Sequence, residues 1–191
     1  MDPRKLLDAL HVAEKLKDAT RHCDTSGGKR ESVADHSWRA ALMAYFMADE
    51  FPGADMNRVI KMCLIHDLGE AFTGDIPVFM KSKEDEIKEE SLLDAWVDSL
   101  PEPLSGEMRD LYREMDARET PEARIYKAID SLEAVIQHNE SDISSWTPQE
   151  YDLNRTYAYD RVAFSEYLKR LRAEIRRDTD EKIARAESEK G

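Results

Sequence analysis

Between Ile65 and Pro77 the chain reads Ile-His-Asp-Leu-Gly-Glu-Ala-Phe-Thr-Gly-Asp-Ile-Pro, directly after an apolar helical run. One imidazole (His66) and three carboxylates (Asp67, Glu70, Asp75) fall within ten residues. Adjacent His66 and Asp67 project about 100° apart on a helix, so both lean toward one point only near its end. Gly69 and Gly74 are expected to bend the backbone and return Glu70 and Asp75 to that point. Mixed imidazole and carboxylate donors suit a divalent cation. For a His-Asp pair standing alone, the plainer reading is a helix end with solvated acids.

The pair does not stand alone. Upstream lies Glu31-Ser32-Val33-Ala34-Asp35-His36-Ser37-Trp38, and downstream Lys127-Ala128-Ile129-Asp130-Ser131-Leu132-Glu133. Together the pieces read His…His-Asp…Asp, with separations of 30 and 63 residues. In these segments and in Thr73-Gly74-Asp75-Ile76-Pro77 the chain resembles the HD-domain metal-dependent phosphohydrolases, most closely their small 5'-deoxynucleotidase branch. The likeness runs over roughly residues 15 to 140.

That resemblance implies one divalent cation per chain, held by His36, His66, Asp67 and Asp130. Two neutral imidazoles and two carboxylates cancel a 2+ charge and leave two octahedral positions open. Manganese, cobalt, iron and magnesium all accept such donors. Binuclear relatives recruit further histidines, and only His11, His22 and His138 remain in reserve. His138 lies about 80° around the helix from Asp130, whereas Gln137 is about 20° off its face. One metal is therefore expected, and a di-iron oxygenase is disfavoured.

The resemblance also assigns roles. Glu70 is expected to be the general acid toward the leaving ribose oxygen, and Asp75 to orient the nucleophile. Arg21, in Leu16-Lys17-Asp18-Ala19-Thr20-Arg21, matches the family segment whose arginine contacts the substrate phosphate, to which a guanidinium fork is suited. Some relatives place tryptophan after that arginine. This chain has His22-Cys23, which leaves deoxyribose against ribose open. Glu133 and Gln137 share nearly one face with Asp130 and are expected to line the pocket, while Lys29, Arg30 and Arg39 read as surface charges. Trp38, Phe46 and Trp96 read as core residues.

The elements that must position these groups are helical. A chain of 191 residues with 41% hydrophobic and 36% charged side chains fits one helix-rich domain, 1–191, with a core over about 15–140. Leu6, Leu7, Leu10, Val12 and Leu16 mark a first amphipathic helix, and a polar loop follows at 24–29. Ser32-x-x-Asp35 starts a second helix bearing Trp38, Leu42, Tyr45 and Phe46. Met56 to Leu64 form a third, which delivers His66 and Asp67, and Pro77 closes the site loop. Residues 84–100 and 104–118 read as two more. Thr120-Pro121 and Thr147-Pro148-Gln149-Glu150 are helix starts, and a charged helix spans about 160–187. The expected fold is all-α, a single HD-domain helical bundle.

The net charge of −13 argues against a DNA- or RNA-binding protein. Residues 1–40 nonetheless hold eight Lys/Arg against seven Asp/Glu, a local cation supply beside His36. No apolar run reaches the roughly 18 residues of a membrane span, and the first residues lack a signal-peptide core. Cys23 and Cys63 have no metal or redox spacing, so a cytoplasmic location is expected. The resemblance implies a metal-dependent phosphohydrolase acting on (deoxy)nucleoside 5'-monophosphates. Nucleoside triphosphates or a nucleotide analogue are the alternative with the same site, and a non-catalytic metal-bound scaffold is the alternative of another class. Relatives are commonly dimers, and Leu92, Leu93, Trp96 and Val97 offer apolar surface for a homodimer.

Overall fold

The computed structural model describes residues 1–76 and 81–189. The predicted loop closure at Pro77 lies outside the described residues. Helix α1, Pro3–Glu14, starts where Asp2 accepts the Arg4 and Lys5 amides. A hairpin follows, β1 Thr20–Asp24 antiparallel to β2 Arg30–Ser32. Its turn is closed by Thr25 N donating to Lys29 O, and Gly28 takes φ +78° there. The polar loop of the sequence is thus the tip of a short hairpin, too brief for strand alternation to stand out.

Helix α2, Val33–Phe46, begins directly at the hairpin's end, with Ser32 and Asp35 exchanging capping bonds of 3.0 and 3.1 Å. Helix α3, Met56–Ile65, is capped by Asp55, and the short α4, Glu70–Thr73, follows almost at once. Then come α5 Lys83–Ser99, α6 Leu104–Ala117 and the central α7 Pro121–Glu140. Thr120 accepts the Ala123 amide at the start of α7, as its Thr-Pro signature predicts. Helices α8 Pro148–Thr156, α9 Tyr159–Val162 and α10 Glu166–Ser188 complete the bundle.

The main core is built where α2, α3 and α7 meet, from residues including Ala40, Ala44, Val59, Met62, Ile129 and Leu132. Alanines on α2 let its backbone approach its neighbours. Trp38 and Phe46, expected in the core, are instead 62% and 74% exposed. Helix α2 turns its small residues inward, and its bulky aromatics fall on the opposite arc. A second cluster joins Leu16, Val33, Leu68, Val97 and Met108, with Leu93 and Trp96 packed against it. Much of the α5 face expected at a dimer contact is therefore filled by the chain itself, leaving Ile87 and Leu92 outside. Among the described residues, no helix is long and apolar enough to cross a membrane.

Candidate metal centre and active site

Three helices bring four side chains to one point. His36 projects from α2, His66 and Asp67 from the end of α3, and Asp130 from the middle of α7. His36 Nε2 lies 3.2 Å from His66 Nε2 and 3.1 Å from Asp130 Oδ1. His66 Nε2 is 3.1 Å from Asp67 Oδ2 and 3.5 Å from Asp130 Oδ1, and His36 Nε2 is 3.8 Å from Asp67 Oδ2. Donor atoms about 2.1 Å from one ion stand about 3.0 Å apart as octahedral neighbours and about 3.4 Å apart in a tetrahedron. The observed edges fit a single small dication.

The imidazoles are already turned for it. Cys63 O accepts from His66 Nδ1 at 2.9 Å, and Glu133 Oε2 accepts from His36 Nδ1, so both Nε2 lone pairs face the centre. Burial opposes charge on Asp67, yet the two imidazoles hold its carboxyl well below the usual range. Burial likewise opposes the Asp130 charge, which Lys127 and both histidines stabilise. Against its own desolvation, His66 is pushed up to about 10 by Asp67 and Asp130. Carboxylates that draw protons onto imidazoles this strongly would also draw a cation.

Backbone geometry explains how His66 and Asp67 converge. Past Ile65 the chain stays right-handed but tightens, with Leu68 N donating to Ile65 O and Glu70 N to Asp67 O. Tyr112 Oη steadies the turn by donating to Ile65 O at 2.6 Å. Gly69 does not bend the backbone as expected, because its φ of −58° and ψ of −34° are helical. It instead makes room for Glu89: a Cβ there would lie 2.9 Å from the Glu89 Cγ. Gly74, at φ +75°, does make the turn before Asp75.

Glu70 is 8% exposed, and its Oε2 has no hydrogen-bond partner among the described residues. Burial first, then the Asp67 and Asp75 carboxylates, push its carboxyl up to about 9. Burial also raises Asp75, against the pull of Arg21. A carboxyl raised this far can donate a proton at neutral pH.

Arg21 and Cys23 share the inward face of β1. Arg21 Nε donates to Glu31 Oε2 at 3.1 Å, and its Nη1 is 3.7 Å from Asp67 Oδ2. Glu31, 1% exposed, also accepts from Cys23 Sγ at 3.0 Å. The hairpin therefore presents the guanidinium and its carboxylate clamp as one unit. Sequence reasoning passed over Glu31, whose signal is its place beside Arg21 across the hairpin.

A cavity of about 300 Å³, in the size range of small-molecule sites, opens beside these groups. Arg21, Asp67, Glu70, Asp75 and Asp130 lie on its wall, and Lys81 and Lys127 add cations. Glu133 and Gln137 do not line it. Glu133 is fully buried between His36 and Arg39, whose Nε donates to it at 2.6 Å. Gln137 accepts from Arg39 Nη2 and donates to Asp24 O, at 2.6 and 2.7 Å, tying α7 to the hairpin. Arg39, expected at the surface, joins both. On α7 the cavity lies to one side of Asp130, at Lys127, Ala134 and His138, about 40–80° around the axis. Glu133 and Gln137 are rotated the other way, toward α2 and the hairpin.

Comparison with known proteins agrees with this geometry. The family described as HD domain matches residues 13–172. A human protein named 5'-deoxynucleotidase HDDC2 is 32% identical over 141 residues, covering 72% of this chain and 68% of its own length. The Schizosaccharomyces pombe 5'-deoxynucleotidase hdd1 is 31% identical over 133 residues, covering 62% of this chain and 66% of the relative. A crystal structure from Magnetospirillum magnetotacticum MS-1, described as a predicted metal-dependent phosphohydrolase, superposes with TM-score 0.79 at 28% identity, covering 96% of both chains. A cyanophage S-2L HD phosphohydrolase bound to dA and one catalytic Zn2+ ion shares the fold, at TM-score 0.53 and 18% identity over 92% of this chain and 94% of that one. With the family's match spanning His36 through Asp130 and the fold shared end to end, the chain belongs to the HD-domain family.

Proposed function

We propose that this protein is a phosphohydrolase that removes phosphate from nucleoside 5'-monophosphates, deoxyribonucleotides among them. The observation that carries the reading is the convergence of His36, His66, Asp67 and Asp130 beside the buried Glu70 carboxyl. One divalent cation per chain, from among manganese, cobalt, iron and magnesium, would be held by those four residues. When bound it supplies Lewis-acid polarisation and a nucleophile from water at neutral pH.

The chain's own residues do the rest. Arg21, oriented by Glu31, grips the phosphate and offsets charge gathering on its oxygens. Lys127 and Lys81 add positive potential on the same wall. Glu70 delivers its proton to the departing 5'-oxygen, and Asp75 orients the attacking water. Glu133 is a positioning residue, since it fixes the His36 ring through Nδ1. We read the whole chain as one HD domain, acting as a cytoplasmic homodimer.

The test is phosphate release from a panel of ribo- and deoxyribonucleoside 5'-mono- and triphosphates across the four metals. The expected result is turnover of monophosphates with a metal present and none with a chelator. Release confined to triphosphates, or none with any metal, would defeat the proposal.

A further inference from the structure

At the end of α2, the eight residues from Ala40 to Met47 include no charged side chain. A helix that is apolar on every side is normally covered on every side. Here one side stays open. Ala40, Ala41 and Ala44 are buried in the main core, while Tyr45 and Phe46 are 66% and 74% exposed, and Trp38, one turn before Leu42, is 62% exposed. Elsewhere the uncovered apolar side chains are interrupted by charge. On α1, Leu6 and Leu7 stand between Lys5 and Asp8, and on α5 Ile87 stands between Glu86 and Lys88.

The open residues are spaced for helix packing. Trp38, Leu42 and Phe46 follow at four-residue intervals and form one ridge along α2, with Tyr45 beside it. Ridges of this kind interdigitate with one another in the commonest class of helix crossing, at about −50°. This ridge is also symmetric about its middle, with an aromatic side chain four residues to either side of Leu42. A second copy turned about a twofold axis at Leu42 lays its Phe46 on Trp38 and its Trp38 on Phe46. A depression of about 240 Å³ opens at the Trp38 end, beside Lys29 and Arg39, where the incoming aromatic side chains arrive.

The open area matches what a stable dimer needs. With about 150–250 Å² on each aromatic side chain, Trp38, Tyr45 and Phe46 leave about 300–500 Å² uncovered per chain at these exposures. Two copies together supply the apolar share of a standard interface, about 900 Å² out of about 1,600 Å². Asp35 and Arg39 at one end of the ridge, with Asp49 and Glu50 at the other, provide a polar rim. None of the residues lining the active-site cavity belongs to α2, so the contact takes nothing from either copy's cavity wall.

Resting on the homodimer proposed above, we propose that its interface is the outer face of α2, where two copies pack Trp38, Leu42, Tyr45 and Phe46 against themselves across a twofold axis at Leu42. The experiment is sedimentation equilibrium at micromolar concentration on wild type, Trp38→Arg, Phe46→Glu and a double variant of the rival α5 face, Ile87→Glu with Leu92→Lys. Circular dichroism and thermal melts check that each is folded, as the exposure of the replaced side chains leads one to expect. Wild type and the α5 variant should be dimers. Trp38→Arg and Phe46→Glu each spoil two contacts per dimer, so each should raise the dissociation constant about hundredfold or more and sediment as a monomer. Mixed in equal amounts, these two variants should dimerise again. The mixed pair keeps one Trp38 to Phe46 contact and sets the introduced arginine against the introduced glutamate at the other. A mixture that stays monomeric overturns the twofold pairing. A wild-type dimer that survives Phe46→Glu, or that the α5 variant abolishes, overturns the α2 face and leaves the homodimer standing. A monomeric wild type overturns the homodimer and this face with it. No outcome depends on turnover, so failure of the phosphohydrolase reading would be seen separately.

Discussion

Replacing Glu70 by glutamine separates what its carboxyl costs the fold from what it does for turnover. A carboxyl whose folded-state pKa lies above its unfolded value binds its proton more tightly when folded. Folding is then weakened as pH rises from the unfolded pKa to the folded one. Burial and the Asp67 and Asp75 charges raise Glu70 from 4.5 to about 9. At about 1.36 kcal/mol per unit, the penalty is about 3 kcal/mol at pH 7 and about 6 kcal/mol above pH 9, as upper figures. Glutamine keeps the shape of the neutral acid and cannot ionise. With metal chelated, Glu70→Gln should therefore melt close to wild type at pH 5 and roughly 10 °C higher at pH 7, given about 2–4 °C per kcal/mol at this size. With metal restored, its nucleotide turnover should fall roughly 10²–10⁴-fold while metal content is unchanged. Thermal melts from pH 5 to 9, with steady-state kinetics and metal analysis, read all three quantities. A melting difference that stays flat across this range would refute the raised carboxyl. Full retention of turnover would take the proton donation away from Glu70.

Asp67→Ala removes a ligand carboxylate and leaves the site one charge short, so metal analysis should find the cation lost and activity gone. Arg21→Ala should keep the metal but raise KM and lower kcat, and Arg21→Lys should restore little because it lacks the two-pronged fork. Glu133→Gln should weaken metal affinity roughly 10–100-fold by loosening the His36 ring, with turnover largely recovered at saturating metal. Light scattering at micromolar concentration should report a dimer; a stable monomer would count against the association drawn from the family likeness and the exposed Ile87 and Leu92.

Most of the bundle was legible because its helices announce their own ends. Ser32 with Asp35, Thr120 before Pro121, and Thr147 with Glu150 are local signals whose bonds form within one turn. The hairpin was harder, since it gains its place from tertiary ties such as Gln137 Nε2 to Asp24 O across more than a hundred residues. The inward face of α2 was misread because residue size was taken as a guide to burial. There, alanine lines the core and the aromatics face outward. Close helix approach rewards small side chains, and size alone does not show which side a neighbour occupies.

The same distinction explains the site. His36, His66, Asp67 and Asp130 could be seen as a set because their chemistry is carried by residue type at fixed spacing. What surrounds them depends on rotation about α7. Angular distance from Asp130 ranked Gln137 above His138, yet the cavity lies to one side of Asp130 rather than centred on it. The sign of that offset comes from α2 and the hairpin, which occupy the other flank and claim Glu133 and Gln137 for the support of His36 and Arg39. Helical periodicity is symmetric about a ligand, whereas a pocket between packed helices is not. Residues that read as substrate contacts therefore became structural support, and a histidine set aside as too far round its helix came to face the cavity.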